Sequence, residues 1–310
     1  MTGSLDVPAA VRHRLVSQDR AATAWLDGLP TRITAILGRW GLHVEGPPSF
    51  GGTSVVLQVR SEGTGPAALK LVSPLGDAAQ GARALEVLAG HGTVRRERHS
   101  PEDQALLLEL LPGPTLAGLS DEREAVAAAG AVAARIAAVP APPDAPQLAA
   151  SARAWREAFA RQHRRAVREA RALPAAVVET ADAAIADLAG SIAPGMTHGD
   201  LSFANVLRRG DGAWVAIDPL YRNGPAENEA HTVLRSVSRP PLSEGLPRAR
   251  GMRRMRELLG IFCEAAALDP QRAWRISQAR FAASAYWEAE HRGDAADIAW
   301  LREMAAEIEL

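Results

Sequence analysis

The chain has 310 residues, of which 47% are hydrophobic and 23% are charged, with a formal net charge of −1 at pH 7. This length predicts two lobes or domains with a substantial core, and the balanced charge argues against a nucleic-acid binder, which usually carries a basic surplus. The single cysteine, Cys263, excludes an internal disulfide framework. Because the sequence shows neither a signal peptide nor an apolar run of about 20 residues, we expect a cytoplasmic protein with no membrane partner.

The first third of the chain is predicted to form leading helices and a small antiparallel sheet. Two β-rich runs flank a Gly-Pro turn and form a hairpin, and the first run follows a glycine-rich approach that contains Gly51 and Gly52. The predicted elements are a helical region over Pro8–Trp40, strands over Ser54–Arg60 and Ala67–Val72, a helix over Asp77–Ala89, and strands over Thr93–Glu97 and Ala105–Leu110.

The rest of the chain is predicted to be mainly helical after a Leu-Pro-Gly-Pro break at 111–114. Helices are predicted over Asp121–Ala138, Leu148–Ala172, Ala175–Ala189, Glu227–Val237, Arg248–Ala267, Pro270–Arg292 and Asp294–Ile308. One short hairpin, Asn205–Arg208 with Ala213–Ile217, interrupts them. The pattern predicts an α+β, bilobal, protein-kinase-like fold, with a small antiparallel-sheet lobe over 1–110, a hinge linker over 111–114 and a larger, mainly helical lobe over 115–310.

One lysine stands out, because Lys70 is the only lysine among the 35 Lys and Arg residues. It lies in the apolar, strand-like run Ala67–Val72. Such a lysine can extend along a strand edge and keep its ammonium in water. We favour a functional interpretation, since a compact ammonium suits contact with phosphates better than a wide guanidinium does. Its acidic partner stays open between Asp77 and Glu86 on the following helix.

Three polar residues of the second region, Asp200, Asn205 and Asp218, form a pattern that each alone does not. Asp200 and Asn205 are five positions apart, which is the separation of Asp and Asn in a kinase catalytic loop, and the predicted hairpin returns Asp218 beside Asn205. Each residue alone could simply belong to a turn. Together they predict phosphoryl transfer, in which a carboxylate holds the acceptor hydroxyl while an amide and a second carboxylate hold Mg²⁺ on the nucleotide phosphates.

These residues carry a resemblance to a known family. The run from His198 reads His-Gly-Asp-Leu-Ser-Phe-Ala-Asn-Val-Leu and is followed by Ile-Asp-Pro at 217–219. It resembles the aminoglycoside phosphotransferases, in particular the aminoglycoside 6-phosphotransferase (streptomycin kinase) branch with its hydroxyurea resistance kinases. Similar segments at 67–71, 106–116, 139–143 and 286–290 extend the resemblance over most of the chain.

The resemblance implies an ATP- and Mg²⁺-dependent phosphotransferase with an alcohol acceptor, most simply a streptomycin-type aminoglycoside, with GTP as an alternative donor. It implies Asp200 as the base, His198 as a brace of the loop, and Asn205 and Asp218 as the Mg²⁺ ligands. The implied nucleotide contacts are Lys70, Gly51, Gly52, Glu109 and Leu111.

The acceptor side departs from the pattern of the branch. Ser202 stands where the branch usually has a second histidine, Gly224-Pro225-Ala226 replaces a Gly-Asp-Pro segment, and Glu229 falls where the branch has a further Asp. A polycationic aminoglycoside needs carboxylates in its pocket. The expected acceptor residues are Glu229, Trp287, Glu288 and Glu290, although acidic residues on helices usually face solvent.

Other site types find little support. The sequence has no Gly-x-x-x-x-Gly-Lys-[Ser/Thr] run, and its histidines lack the spacing of a zinc cluster. Two hypotheses remain: an ATP-dependent kinase of a small cationic alcohol, or a kinase fold retained as a nucleotide-binding or regulatory module with little turnover. A kinase of hydroxyurea or of a different small alcohol is a further alternative. The expected partner is a small-molecule substrate, bound by a monomer or, alternatively, a homodimer.

Overall fold

A computed structural model describes residues 7–61, 65–243, 248–291 and 293–306, with the backbone alone for 238–243, 248 and 249. The chain divides into two compact units. The first is formed by Met1–Gly90 with Val94–Pro112, and the second by His91–Thr93 with Gly113–Leu310.

The first unit is built on a six-stranded antiparallel sheet. Its described helices are α1 (Ala9–Gln18), α2 (Ala21–Trp40) and α3 (Ala78–Leu88); its strands are β1 (Leu42–Val44), β2 (Ser49–Phe50), β3 (Ser54–Ser61), β4 (Gly65–Val72), β5 (Arg96–Ser100) and β6 (Ala105–Glu109). The strand order is β1-β3-β4-β6-β5, and β2 pairs with the N-terminal part of β3.

The core of this unit lies between the sheet and the leading helices. Leu15 of α1 and Trp25 of α2 are buried in one cluster with Leu69 and Leu71 of β4. Since successive side chains of a strand point to opposite faces, Lys70 lies on the other face of the sheet.

The second unit is mainly helical. Its described elements are α4 (Glu122–Ala137), α5 (Leu148–Arg168), α6 (Ala175–Gly190), the strands β7 (Val206–Arg208) and β8 (Trp214–Ala216), α7 (Ala230–Ser243), α8 (Arg248–Ala266), α9 (Pro270–Glu290) and α10 (Ala295–Ala306). Asp121 and Asp269 cap α4 and α9 by accepting hydrogen bonds from backbone N–H groups of the first turn. Across the described part of the chain, no helix is both long and apolar enough to cross a bilayer.

Two elements of the first third differ from the prediction. The helical region over Pro8–Trp40 is broken at Asp19, whose carboxylate accepts a hydrogen bond from the N–H of Ala21 over 2.8 Å at the start of α2. The strand expected at Thr93–Glu97 lies further along the chain, as β5. The reason is that Thr93 forms a bridge with Ala216 of β8 within the second unit.

Two helices of the second unit also have different bounds. Helix α5 ends at Arg168 rather than Ala172, because Ala170 adopts a left-handed φ of 54° that no α-helix continues. Helix α7 begins at Ala230 rather than Glu227, after a 3₁₀ turn over Ala226–Glu229. The hairpin predicted between them is confirmed, with β7 and β8 in antiparallel register.

Candidate active site

Asp200 and Asn205 are in direct contact in the second unit. The amide nitrogen of Asn205 donates to the backbone oxygen of Asp200 over 2.9 Å and to its carboxylate Oδ2 over 3.0 Å. A 3₁₀ turn over Phe203–Asn205 makes the contact possible, because it brings the chain back within five residues. The Asp200 side chain is exposed, so its carboxylate is both held in orientation and open to a ligand.

His198 is fully buried and joins the loop to the hairpin. Its Nε2 lies 2.8 Å from the backbone oxygen of Ile217, and its Nδ1 accepts a hydrogen bond from the N–H of Asp200 over 3.2 Å. A carbonyl oxygen can only accept and an N–H can only donate, so both contacts fit a neutral ring with its proton on Nε2. His198 thus contacts the backbone of both segments, and its bracing role stays a prediction.

Asp218 follows the hairpin in an unusual backbone conformation. Its φ is 59°, in the left-handed region, and the residue after it is proline, which further restricts the backbone of the residue before it. The N–H of Ile217 donates to the backbone oxygen of Asn205 over 2.8 Å, so the two predicted metal ligands are carried by hydrogen-bonded segments. Strained backbone of this kind concentrates at functional sites, and the Asp218 side chain is exposed.

Glu229 lies beneath the loop and is 2% exposed. Its Oε1 accepts hydrogen bonds from the hydroxyl of Thr197 and from the N–H of Gly199, the latter over 2.7 Å. Gly199 has a φ of +83°, and a Cβ added there would lie 2.7 Å from Cδ1 of Leu220, so this position requires glycine. Glu229 was expected on the acceptor side, and that role stays a prediction; its Oε1 contacts the backbone that precedes Asp200.

The donor set of Asn205 and Asp218 fits Mg²⁺ brought by a nucleotide. Both amide-nitrogen contacts of Asn205 go to Asp200, which leaves the amide oxygen as the ligand atom, and Asp218 adds a carboxylate. Mg²⁺ prefers such hard oxygens and commonly completes its shell with phosphates and water. Within the described ranges, no group of three or more His, Cys, Asp or Glu residues could hold a metal.

The predicted nucleotide contacts belong to the first unit. Lys70 is 9% exposed and lies opposite Leu106 in the register of β4 and β6. A Cβ on Gly81 of α3 would lie 3.8 Å from the Leu106 side chain, so α3 packs on the sheet face that also bears Lys70. Of the two acidic residues considered as partners, Asp77 caps α3 through the N–H of Gln80, and Glu86 lies 3.5 Å from the Arg83 guanidinium.

The other predicted nucleotide contacts also lie on this sheet. Gly51 and Gly52 connect β2 to β3, and the backbone oxygen of Gly51 accepts a hydrogen bond from Arg14 over 2.6 Å. The Glu109 carboxylate, at the end of β6, accepts from the backbone N–H and the guanidinium of Arg95, both over 3.2 Å. Leu111 lies in the segment that follows β6. The backbones of Glu109 and Leu111 are therefore both at the end of this strand.

A cavity of about 400 Å³ lies in the second unit among α5, α6, α9 and the segment after Asp218. We call it the α5–α9 cavity. It is lined by Leu148, Ser151, Ala152, Trp155, Ala158, Gln162, Leu188, Arg222, Asn228, Arg280, Ala283, Ser284 and Trp287. The lining residue Arg222 connects this cavity to the loop, because its backbone oxygen accepts a hydrogen bond from the N–H of Thr197 over 3.1 Å.

The acceptor residues expected on α9 behave differently from one another. Trp287 lines the α5–α9 cavity and stacks on His291, with ring centroids 4.1 Å apart. Glu290 accepts a hydrogen bond from Gln162 over 3.2 Å and lies 3.6 Å from the Arg165 guanidinium. Neither Glu290 nor Glu288 belongs to the described lining.

Sequence reasoning did not identify Arg222 and Arg280. Both are ordinary members of an arginine-rich chain, and neither belongs to a motif. Glu229 was identifiable because it occupies a position where the branch has an Asp. That position alone does not reveal that its side chain is buried and hydrogen-bonded to the loop.

Known proteins are similar to this chain over most of its length. A family model for aminoglycoside/hydroxyurea antibiotic resistance kinases matches residues 39–292. A streptomycin 6-kinase of Streptomyces glaucescens is 31% identical over 286 residues, which cover 89% of this chain and 88% of the relative. A hydroxyurea phosphotransferase of Kitasatospora aureofaciens is 36% identical over 220 residues, covering 69% of this chain and 64% of the relative.

The fold has solved counterparts. The macrolide 2′-phosphotransferase of Brachybacterium faecium matches with a TM-score of 0.55 and 19% identity, over 94% of this chain and 99% of that chain. The prediction of an α+β, protein-kinase-like fold, with a small antiparallel sheet and a mainly helical remainder, is confirmed. On the family model and the relatives together, the chain belongs to the aminoglycoside/hydroxyurea antibiotic resistance kinase family.

Proposed function

We propose that this chain transfers the γ-phosphoryl group of ATP to a hydroxyl group of a small antibiotic. The observation that carries the proposal is the Asp200–Asn205 contact, in which an exposed carboxylate is held by the amide of the residue five positions later. Phosphoryl transfer depends mainly on positioning and charge compensation, and this loop supplies a positioned carboxylate. Family membership supports the same reaction class.

Asp200 accepts the hydrogen bond of the acceptor hydroxyl and takes its proton as the oxygen bonds to phosphorus and ADP leaves. His198 and Glu229 do not touch the reacting atoms. They hold the loop backbone from two sides, through the N–H of Asp200 and the N–H of Gly199. A loop fixed in this way presents the carboxylate without reorganisation during the reaction.

Asn205 and Asp218 would hold Mg²⁺ in this proposal, and the bound cation would supply positive charge that offsets the charge developing on the phosphates. Lys70 contacts the phosphates, Gly51 and Gly52 approach them with their backbone, and the backbone of Glu109 and Leu111 contacts adenine. GTP is the alternative donor. Streptomycin and hydroxyurea are the first acceptors to test, since relatives bear those names.

The test measures Mg²⁺-dependent ADP release by the purified full chain with streptomycin, other aminoglycosides, hydroxyurea and further hydroxyl-bearing antibiotics, and mass spectrometry of each acceptor. We expect one acceptor to gain a phosphoryl group in step with ADP release. Asp200→Asn should lower kcat by about a hundredfold or more while the Kd for ADP stays unchanged.

The control is Asp211→Asn, the same substitution in the β7–β8 turn. Asp211 is exposed and accepts a local hydrogen bond from the N–H of Ala213, so its loss should leave turnover intact. Tight nucleotide binding without turnover on any acceptor would contradict the proposal. That result would favour a nucleotide-binding module, consistent with Ser202 and Gly224-Pro225-Ala226 as departures of this chain.

A further inference from the structure

The α5–α9 cavity carries the opposite charge from the one that a polycationic ligand requires. Its described lining contains two guanidinium groups, those of Arg222 and Arg280, and no Asp or Glu. Ammonium and guanidinium groups that leave water need paired carboxylates. The carboxylate of Glu290, which was expected in the acceptor pocket, contacts Gln162 and Arg165.

Arg222 is held in place through its backbone. Its backbone oxygen accepts a hydrogen bond from the N–H of Thr197 over 3.1 Å, which ties it to the strand-like segment that leads to Asp200. Among the described residues, no hydrogen bond or ion pair engages the Arg222 guanidinium, although the residue is half-buried. A half-buried guanidinium that lines a cavity is placed to pair with an anionic group of a ligand.

Arg280, on α9, adds to the positive charge. Its Nη1 donates to Oδ1 of Asn228 over 2.9 Å. Burial lowers the pKa of Arg280 below its ordinary value; the charges of Arg222 and Arg235 act in the same direction, and those of Glu229 and Asp200 oppose them.

The remaining lining is largely apolar and aromatic. Trp155 of α5 and Trp287 of α9 contribute indole rings, and Leu148 and Leu188 contribute aliphatic side chains. Trp287 is 51% exposed, which is unusual for the largest apolar side chain and marks a surface available to a ligand. The cavity thus offers ring-binding walls and a cationic floor, at a volume suited to a small organic molecule.

We propose that the α5–α9 cavity binds an acceptor that has an apolar or aromatic body and a carboxylate, and that Arg222 and Arg280 bind this carboxylate. Guanidinium groups suit the role because they donate paired hydrogen bonds to a carboxylate in one plane. The inference rests on the proposed phosphotransferase activity and narrows its acceptor. It differs from the expectation of a carboxylate-lined pocket at Glu288 and Glu290.

The test compares three probes that share a benzyl alcohol and differ in one group: 4-(hydroxymethyl)benzoate, 4-(hydroxymethyl)benzamide and 4-(aminomethyl)benzyl alcohol. Isothermal titration calorimetry with the full chain, in the presence of ADP and Mg²⁺, gives the Kd of each. We expect the acid to bind about tenfold more tightly than the amide, as a charge-assisted hydrogen bond exceeds a neutral one, and the amine to bind most weakly.

Two variants locate the preference. Arg222→Gln and Arg280→Gln should each reduce the ratio of amide Kd to acid Kd toward one. The matched control is Arg275→Gln, which removes an exposed guanidinium from the same helix outside the lining and should keep that ratio. Circular dichroism checks that each variant is folded. Because Arg280 also donates to Asn228, its replacement can unfold the chain, and the result for Arg222→Gln is then the decisive one.

Equal Kd values for acid and amide, tighter binding of the amine, no measurable binding of the acid, or an acid preference that survives Arg222→Gln would each overturn the inference. These readouts require no turnover. A chain that prefers the acid but releases no ADP with any acceptor would retain the binding site and lose the proposed function, whereas turnover without acid preference would do the reverse.

Discussion

Through Nε2, His198 donates to the backbone oxygen of Ile217 over 2.8 Å, so one buried ring connects the segment of Asp200 with the segment of Asp218. The other ring nitrogen accepts from the N–H of Asp200. A single side chain therefore contacts the segments of both the proposed base, Asp200, and the second proposed metal ligand, Asp218.

The first prediction concerns this ring. His198→Phe keeps an aromatic ring but leaves the Ile217 carbonyl and the Asp200 N–H unpaired, so we expect a loss of about 2 kcal/mol in the free energy of unfolding. The kcat should fall while the Kd for ADP is retained, because the loop rather than the nucleotide contact is disturbed. Stopped-flow turnover and urea denaturation measure these two effects. His43→Phe, on the exposed face of β1, should change neither; a wild-type kcat in His198→Phe would remove the bracing role.

The second prediction separates backbone strain from chemistry at Asp218. Both Asp218→Gly and Asp218→Ala remove the carboxylate, so both should lose turnover. Because φ is 59° and alanine tolerates the left-handed region poorly, the alanine variant should be less stable than the glycine variant by about 1 kcal/mol. Denaturant titration of the pair measures the difference. An alanine variant as stable as the glycine variant would show that the left-handed φ imposes no strain.

The third prediction tests the close approach at Gly199. Gly199→Ala combines a φ of +83° with a Cβ 2.7 Å from the Leu220 side chain, and should lower the free energy of unfolding by about 2 kcal/mol. Gly210→Ala is the matched control, since nothing lies within 4 Å of its Cβ. Adding Leu220→Ala should recover the steric part of the loss only. Full recovery would assign the whole effect to the clash, and no loss in the single variant would refute the requirement for glycine.

The fourth prediction concerns pH. Burial lowers the pKa of His231 well below its ordinary value of 6.5, and the positive charges of Arg280 and Arg235 lower it further, against a hydrogen bond with the Ser277 backbone. The unfolded chain then binds a proton that the folded chain does not, so stability is complete above pH 6.5 and falls as pH drops below it. Urea denaturation from pH 8 to 5 measures this decline.

The variant His231→Leu supplies the comparison for that decline. The His231 ring meets Phe281 edge-on, with centroids 4.5 Å apart, so an apolar replacement keeps part of the packing. Its stability should decrease less between pH 7 and pH 5 than that of the wild type. Parallel curves for the two proteins would show that another group accounts for the decline.

The loop could be predicted from the sequence because its information is local. Asp200 and Asn205 are separated by one tight turn, and the β7–β8 hairpin carries its own turn residues, so spacing determines which backbone segments meet. Lys70 was identifiable for a different reason: its chemistry is unique in the chain, and strand alternation between Leu69 and Leu71 fixes its face of the sheet.

What could not be predicted depends on contacts between distant segments. The buried position of Glu229 beside Thr197 and Gly199 depends on how the 3₁₀ turn before α7 packs, which no spacing rule states. The cationic lining of the α5–α9 cavity is equally non-local. Arg222 and Arg280 are 58 positions apart, and both line the cavity because α9 packs beside the segment after Asp218.

The residues that line the α5–α9 cavity are different from those that hold the Asp200 loop. The aromatic and aliphatic lining of the cavity comes from helices, whereas the loop that carries Asp200 is braced by His198 and Glu229, neither of which is part of that lining. Substitution of Trp155, Ala158 or Ala283 can therefore reshape what the cavity admits while the loop geometry is preserved. The choice of ligand and the position of the Asp200 carboxylate can thus change independently of one another.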